Sequence, residues 1–378
     1  MTAWLPDLLV TGYQAHTWVI PGAKRLDNEP EGPLTATLVR RGAPRHERAV
    51  LYLHGWDDYF FQAHVADWFD AHGFDFYAVD LRRYGRNLHE GLYAGYVSDL
   101  RDYYQELDHS VELIRHDHPG VPITFMGHST GGLVGALWAA ERPGLLNGML
   151  LNSPWLDMQG SPVFWRVMAP LAGAVAAINP LMELAITDLG LYKRALHVSG
   201  EGEWNWDTDF KSNPAFVPRF GWGRAILAGQ GAVAKGLHID TPVLTLISTR
   251  SDFSRTWNDD MHGSDLVLDV RRIGAAALHL GDLVTIRRVR GAVHDGCCHG
   301  HRYARSSSMR SIAGLMPMCV PRGPARSTGS DWDGPPLPPI LRCPAPHRSP
   351  TGRVTSPRRS EPARVSPARA GRAHGPGE

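Results

Sequence analysis

The stretch "PITFMGHSTGGLVGALWAAERP", residues 122–143, decides how the rest of the chain is read. It reads as a buried strand, a tight turn and a helix, with Gly127-His128-Ser129-Thr130-Gly131 at the turn. In that context the G-x-S-x-G spacing has a physical meaning. A serine on a sharp strand-to-helix turn projects its Oγ above the sheet. The residues two before and two after it would crowd one another if they carried a Cβ, so both are glycine. Gly132 then lets the helix approach the strand closely. The helix N-terminus aims unpaired N–H groups and a partial positive charge at any developing oxyanion. Ser129 is therefore the candidate nucleophile, against the plainer reading of a serine that merely starts a helix.

Working outward, short apolar runs alternate with longer helical patterns over the first 295 residues. Strands are expected at 34–40, 49–55, 74–80, 122–127, 148–153, 242–248 and 282–289. Several are apolar almost throughout, as strands covered on both faces are. Leu100, Tyr104, Leu107, Val111 and Ile114 recur at intervals of three and four, which predicts one amphipathic helix with Ser98 as its N-cap. The pattern implies an α/β fold with a mostly parallel central sheet flanked by helices. Residues 154–237 interrupt it with "FWRVMAPLAGAVAAINPLMELAI" and the Trp-rich "GEGEWNWDTDF". An insertion of that length is too long for a connection and predicts a helical cap. The expected division is 1–153 and 238–295 for the core, 154–237 for the cap, and 296–378 for a tail.

A serine needs a base, and the base an orienting acid, in the chain order Ser, Asp, His for this architecture. "PVLTLISTRSDFS" offers Asp252 four residues past a strand, and Asp157 in "NSPWLD" is the alternative acid. "LVTIRRVRGAVHD" offers His294 as the base. The turn "LYLHGWDDYF" puts the Trp56 backbone amide beside that of Thr130 as the expected oxyanion pair, with His54 and His128 structural. Trp155, Phe164, Trp165, Met168, Leu171 and Leu181 are candidates for an apolar chamber, or else a packed helical core. Trp204 and Trp206 read as core aromatics first.

The chain here resembles the α/β-hydrolase fold, and within it the monoacylglycerol lipase and lysophospholipase-like serine hydrolases. The resemblance rests on "LYLHGWDDYF", "AVDLRRYGRN", "GHSTGG", "GEWNWDTDFK", "SDLVLDVRRI" and "GAVHD", and covers about residues 34–295. Thr130 stands where monoacylglycerol lipases usually have Met. The resemblance implies hydrolysis of carboxylic esters of lipophilic acyl groups through an acyl-enzyme, the alternative being a catalytically inactive fold of this kind kept as a binding module. Ser129 would be the nucleophile, Asp252 the orienting acid, His294 the base, and Trp56 and Thr130 the oxyanion donors. A small-molecule ester or lipid substrate is implied, with no cofactor and no metal.

Composition sets further limits. The net charge of +1 divides into −8 before Gly296 and +9 after it, where 13 Arg, no Lys and 4 acidic residues occur. All four cysteines and 14 of 29 prolines lie after residue 295, and 11 of 12 tryptophans before it. Residues 296–378 have the composition of a disordered segment. Their Arg, Pro, Gly, Ala and Ser are also what a GC-rich gene yields out of frame, so a frameshift near Asp295 is expected. The adjacent Cys297 and Cys298 lack the spacing of a zinc site. The basic tail could hold a phosphate backbone. The acidic domain and the lack of interleaved aromatics argue against a nucleic-acid partner. No signal peptide or transmembrane run is visible, and a cytoplasmic location is expected.

Overall fold

The computed structural model describes residues 3–160, 162–185 and 188–298, with the backbone alone at 162–167. The segment expected to be a tail or out-of-frame product lies almost wholly outside the described residues. Every strand expected from the sequence is present, and two short strands precede them. These are β1 (Leu5–Pro6), β2 (Gln14–Val19), β3 (Thr35–Arg40), β4 (Ala49–Leu53), β5 (Asp75–Asp80), β6 (Ile123–His128), β7 (Gly148–Asn152), β8 (Val243–Ser248) and β9 (Val284–Val289). They form one sheet in the order β1-β2-β3-β5-β4-β6-β7-β8-β9. The pairs β1/β2, β2/β3 and β3/β5 are antiparallel. All pairs from β5 to β9 are parallel.

The helices are α1 (Ala63–Ala71), α2 (Tyr104–Asp117), α3 (Thr130–Ala140), α4 (Pro162–Ile178), α5 (Leu191–Leu196), α6 (Phe220–Lys235) and α7 (Val270–Ala276). Every residue of β4 to β8 is buried, which explains their near-continuous apolarity. Side-chain alternation divides them between two cores. Leu51, Leu53, Phe125 and Leu151 meet Leu107, Val111, Ile114, Leu133 and Trp138 on one face. Val50, Tyr52, Met126 and Leu150 meet Val65, Ala66 and Phe69 on the other. Each large apolar side chain so buried contributes about 1.5–3 kcal/mol. The Trp138 indole donates to Asp108 Oδ1 at 2.8 Å, tying α3 to α2.

The predicted apolar face of α2 is buried, but its start differs from expectation. A 3-10 turn, Leu100–Tyr103, leads into the helix, and the Asp99 carboxylate caps it by accepting from Arg101 N. Ser98 is not the cap. The arginines of "AVDLRRYGRN" are equally structural. Arg82 grips buried Glu106 with bonds of 2.6 and 2.7 Å, and Arg83 grips Glu29 at 2.6 and 2.5 Å. Removing one partner of such a pair strands a buried charge, at about 3–5 kcal/mol.

The order of strands positions the site. From β4 the chain goes to β5 on one side, then returns past β4 to β6 on the other. The connections leaving β4 and β6 therefore diverge, opening a crevice at the carboxyl ends of these strands. Between β7 and β8 lie α4, α5 and α6. No helix among the described residues is long and apolar enough to cross a membrane.

Candidate active site

Ser129 sits between the end of β6 and the start of α3 with φ 52° and ψ −118°. A left-handed φ is costly for serine and persists only where the surroundings dictate it. Here they do: Ser129 N donates to Asn152 O at 3.0 Å, and Ser129 O accepts from Gly132 N and Trp155 N, both at 3.0 Å. The flanking glycines are needed for close approach. A Cβ on Gly127 would lie 2.8 Å from Gly131 O, and one on Gly131 would lie 2.2 Å from His54 O. The second clash is with the end of β4, so Gly131 lets the elbow press against the neighbouring loop as well as against itself.

His294 follows β9 and faces the elbow. Its Nε2 is 2.9 Å from Ser129 Oγ and its Nδ1 is 3.1 Å from Asp265 Oδ2. Ser129, His294 and Asp265 are 7, 3 and 0% exposed, so the chain of bonds lies out of bulk water. A carboxylate can only accept, which assigns the ring proton to Nδ1 and leaves Nε2 to accept from the serine hydroxyl. Asp265 Oδ1 in turn accepts from Val267 N at 2.9 Å and Leu268 N at 2.8 Å. The acid is thus fixed on both oxygens.

The structure does not bring Asp252 to the histidine. Its carboxylate accepts from Ser254 N at 2.9 Å and Asn258 Nδ2 at 3.0 Å, and the Ser254 hydroxyl, with these bonds, holds it below the usual carboxylate range. Asp157 is also elsewhere, paired with Arg272 at 2.8 Å. The reason lies in the path after β8. Residues 253–264 loop out and return, so that Asp265 N donates to Arg250 O at 3.0 Å and Asp252 N donates to Asp265 O at 2.9 Å. Asp252 supports the acid through its backbone and leaves the carboxylate role to Asp265. The sequence signal was present in "SDLVLDV", where Asp269 caps α7 by accepting from Arg271 N and Arg272 N. An acid four residues before that cap has no strand register to mark it.

Trp56 follows β4 and Thr130 follows Ser129 directly, the two positions expected to supply the oxyanion amides. A Cβ on Gly55 would lie 3.1 Å from Ser129 Cβ, which puts the Gly55–Trp56 turn against the elbow. The Thr130 hydroxyl is buried without a hydrogen-bond partner. His54 is structural, its Nδ1 on Gly55 O at 2.8 Å and its Nε2 accepting from Leu81 N at 3.2 Å. His128 bonds Asn152 O at 3.1 Å, and burial lowers its pKa, so it stays neutral at pH 7. Cys297 and Cys298 are buried, and burial pushes both thiols well above their ordinary range. Thiols kept protonated in this way are poor nucleophiles.

An aromatic wall leads from the oxyanion turn into the insertion. The Trp56 ring lies 3.9 Å from Trp222 of α6 and 6.0 Å from Phe216, centroid to centroid, and Trp222 lies 5.8 Å from Trp155. Tyr192 of α5 stands edge-on to the His294 ring at 5.7 Å. Of the residues expected to form a chamber, Trp155, Met168 and Leu181 are half-buried and Leu171 is exposed. The side chains of Phe164 and Trp165 lie outside the described residues. Trp206 is buried, and Trp204 stacks on His64 at 4.1 Å, as core aromatics do.

Comparison with known proteins places this geometry in context. Human monoglyceride lipase is 43% identical over 99 residues, 26% of this chain and 32% of that protein. Monoacylglycerol lipase of Mycolicibacterium smegmatis is 31% identical over 138 residues, 36% of this chain and 48% of that protein. The chain thus spans a third to a half of the length of these relatives. A soluble variant of monoglyceride lipase from Saccharomyces cerevisiae, solved with a substrate analog, superimposes with a TM-score of 0.57. That match covers 81% of this chain and 99% of the other at 14% identity, and it shows a shared fold. The family model described as Hydrolase_4, serine aminopeptidase S33, matches residues 44–250. Those residues hold the strand reversal, the elbow and the insertion and make up more than half of the chain, which therefore belongs to this family of α/β-hydrolases.

Proposed function

We propose that this protein is a serine hydrolase that cleaves carboxylic esters of lipophilic acyl groups, of the monoacylglycerol or lysophospholipid kind. One observation carries the reading: a single histidine bridges a strained elbow serine and a fixed carboxylate. Ser129 Oγ attacks the ester carbonyl as His294 Nε2 takes its proton. Asp265 keeps the ring oriented and stabilises the imidazolium. The Trp56 and Thr130 amides receive the oxyanion, each worth about 3 kcal/mol in the transition state. His294 then returns the proton to the leaving alcohol. Water activated by the same ring releases the acid and restores Ser129. The insertion 154–237 serves as the cap, and the wall of Trp56, Trp155, Phe216 and Trp222 receives the acyl chain. The names of the similar lipases support the same substrate class. We place the protein in the cytoplasm, since its first 295 residues contain no cysteine and Cys297 and Cys298 are free thiols.

The test is reaction with a fluorophosphonate probe, wild type beside Ser129→Ala. Labelling lost in the variant is the expected result. A folded, monodisperse wild type that takes no label would refute the reading.

A further inference from the structure

The three residues after the oxyanion turn are each held by one loop of the insertion. Asp57 Oδ1 accepts from Ser212 N at 3.0 Å, and the Ser212 hydroxyl, 2.7 Å from Pro214 O, shares its proton with the same Asp57 oxygen at 3.2 Å. Asp58 Oδ1 accepts from Lys211 Nζ at 2.8 Å. Tyr59 OH accepts from Asp207 N at 2.9 Å. Two segments about 150 residues apart in sequence are thus joined at three consecutive positions, starting directly after Trp56. The joint is dry. Asp57, Asp58 and Lys211 are 6, 1 and 6% exposed. The lysine ammonium lies 5.1 Å from the Trp206 ring centre, 5.2 Å from Phe61 and 5.8 Å from Tyr192. Trp206 also donates its indole N–H to Lys211 O at 3.2 Å, which folds the loop around its own cation.

Such a joint does more than attach the insertion. Asp57 has φ 48°, a left-handed conformation uncommon outside glycine though open to aspartate, and the Ser212 contacts fix it there. It is the residue next to the proposed donor. The donor must sit within a few tenths of an ångström of the developing oxyanion to be effective. Lys211 is felt on the other side of the site too. Burial raises the Asp295 carboxyl, yet the Lys211 charge and hydrogen bonds from the Cys297 and Cys298 side hold it below the usual carboxylate range. Asp295 adjoins His294.

We propose that the loop 204–212 is a clasp that positions the oxyanion hole, with Ser212 and Lys211 as positioning residues that act through Asp57 and Asp58. This rests on the serine-hydrolase reading of the site. The clasp holds the Trp56 amide where negative charge develops, and so acts on the transition state in preference to the bound ester. Its loss costs turnover and spares KM.

The experiment uses the full chain, as wild type, Ser212→Ala, Ser212→Thr and Lys211→Met, with p-nitrophenyl butyrate as substrate. Hydrogen exchange of the peptide spanning residues 55–61 is followed in parallel. Ser212→Ala is expected to lower kcat about tenfold, part of the loss caused by removing a donor outright. KM should stay within about twofold, as for an interaction made only in the transition state. The 55–61 amides should exchange faster, and Ser212→Thr, which keeps the hydroxyl, should restore both readings. Lys211→Met should give the same split between kcat and KM if it folds, and Ser212→Ala decides alone if it does not. A reactive wild type whose Ser212→Ala variant keeps its kcat and its exchange would overturn the clasp and leave the hydrolase reading intact. A loss in KM alone would make the loop a substrate contact and overturn the clasp equally. A wild type inert to the fluorophosphonate would end the hydrolase reading and the catalytic role of the clasp together.

Discussion

Asp265 takes two backbone N–H groups on one carboxylate oxygen and the His294 ring on the other. Asp252, thirteen positions earlier, spends its carboxylate on its own turn. The two acids are therefore separable by experiment. Asp265→Asn offers the ring a donor in place of an acceptor and favours the wrong tautomer. It should lower kcat about 10³- to 10⁴-fold. Asp252→Asn should stay within about threefold, the range of a substitution away from the site. Turnover of the two variants on one ester, beside the wild type, measures the contrast. The placement of Ser129 and His294, which the fold brings to 2.9 Å, was marked in the sequence because each follows a strand end closely. Asp265 was not, because a looped-out segment separates it from β8 and only the folded backbone brings it back beside Arg250.

At the scale of elements, legibility follows burial. β4 to β8 are covered on both faces and read as apolar runs, so their positions were plain in the sequence. β2 has no fully buried residue, and its Val19 is 54% exposed, so "QAHTWV" has no pattern to find. β9 was found by alternation, although its exposed Arg287 and Arg288 mark it as the sheet edge. Helix α2 was found from its face, but the sequence offers two adjacent capping residue types, Ser98 and Asp99. Only the backbone decides, at Asp99, whose φ of −142° suits an N-cap. Asp99→Ala should cost about 1 kcal/mol in urea unfolding, and Ser98→Ala only a few tenths. Equal effects would mean that the cap is shared.

For the whole molecule, the clasp leaves a signature in the dependence of stability on pH. Burial raises the Asp57 carboxyl from its ordinary value of 3.8 to about 8. The folded protein then binds a proton that the unfolded chain releases, so this residue favours folding most below about pH 4. That contribution is lost progressively as pH rises through 8. The aspartate is surrounded by Asp58, which raises its pKa, and by Lys211 and Ser212, which lower it. Asp57→Asn keeps an acceptor for Ser212 and has nothing to titrate. Urea midpoints taken at pH 5 and pH 8 should fall for the wild type between the two values. They should fall less for the variant.

The proposed nucleophile and base are 165 residues apart in sequence, and the base follows β9, at the edge of the sheet. During synthesis the elbow serine emerges long before anything can deprotonate it. A chain stopped short of His294 has the proposed nucleophile, the proposed oxyanion turn and the whole insertion, and still lacks the proposed base. On the proposed roles, hydrolytic competence arrives only when β9 has paired with β8, and reactivity toward an active-site probe becomes a report that β9 is in place.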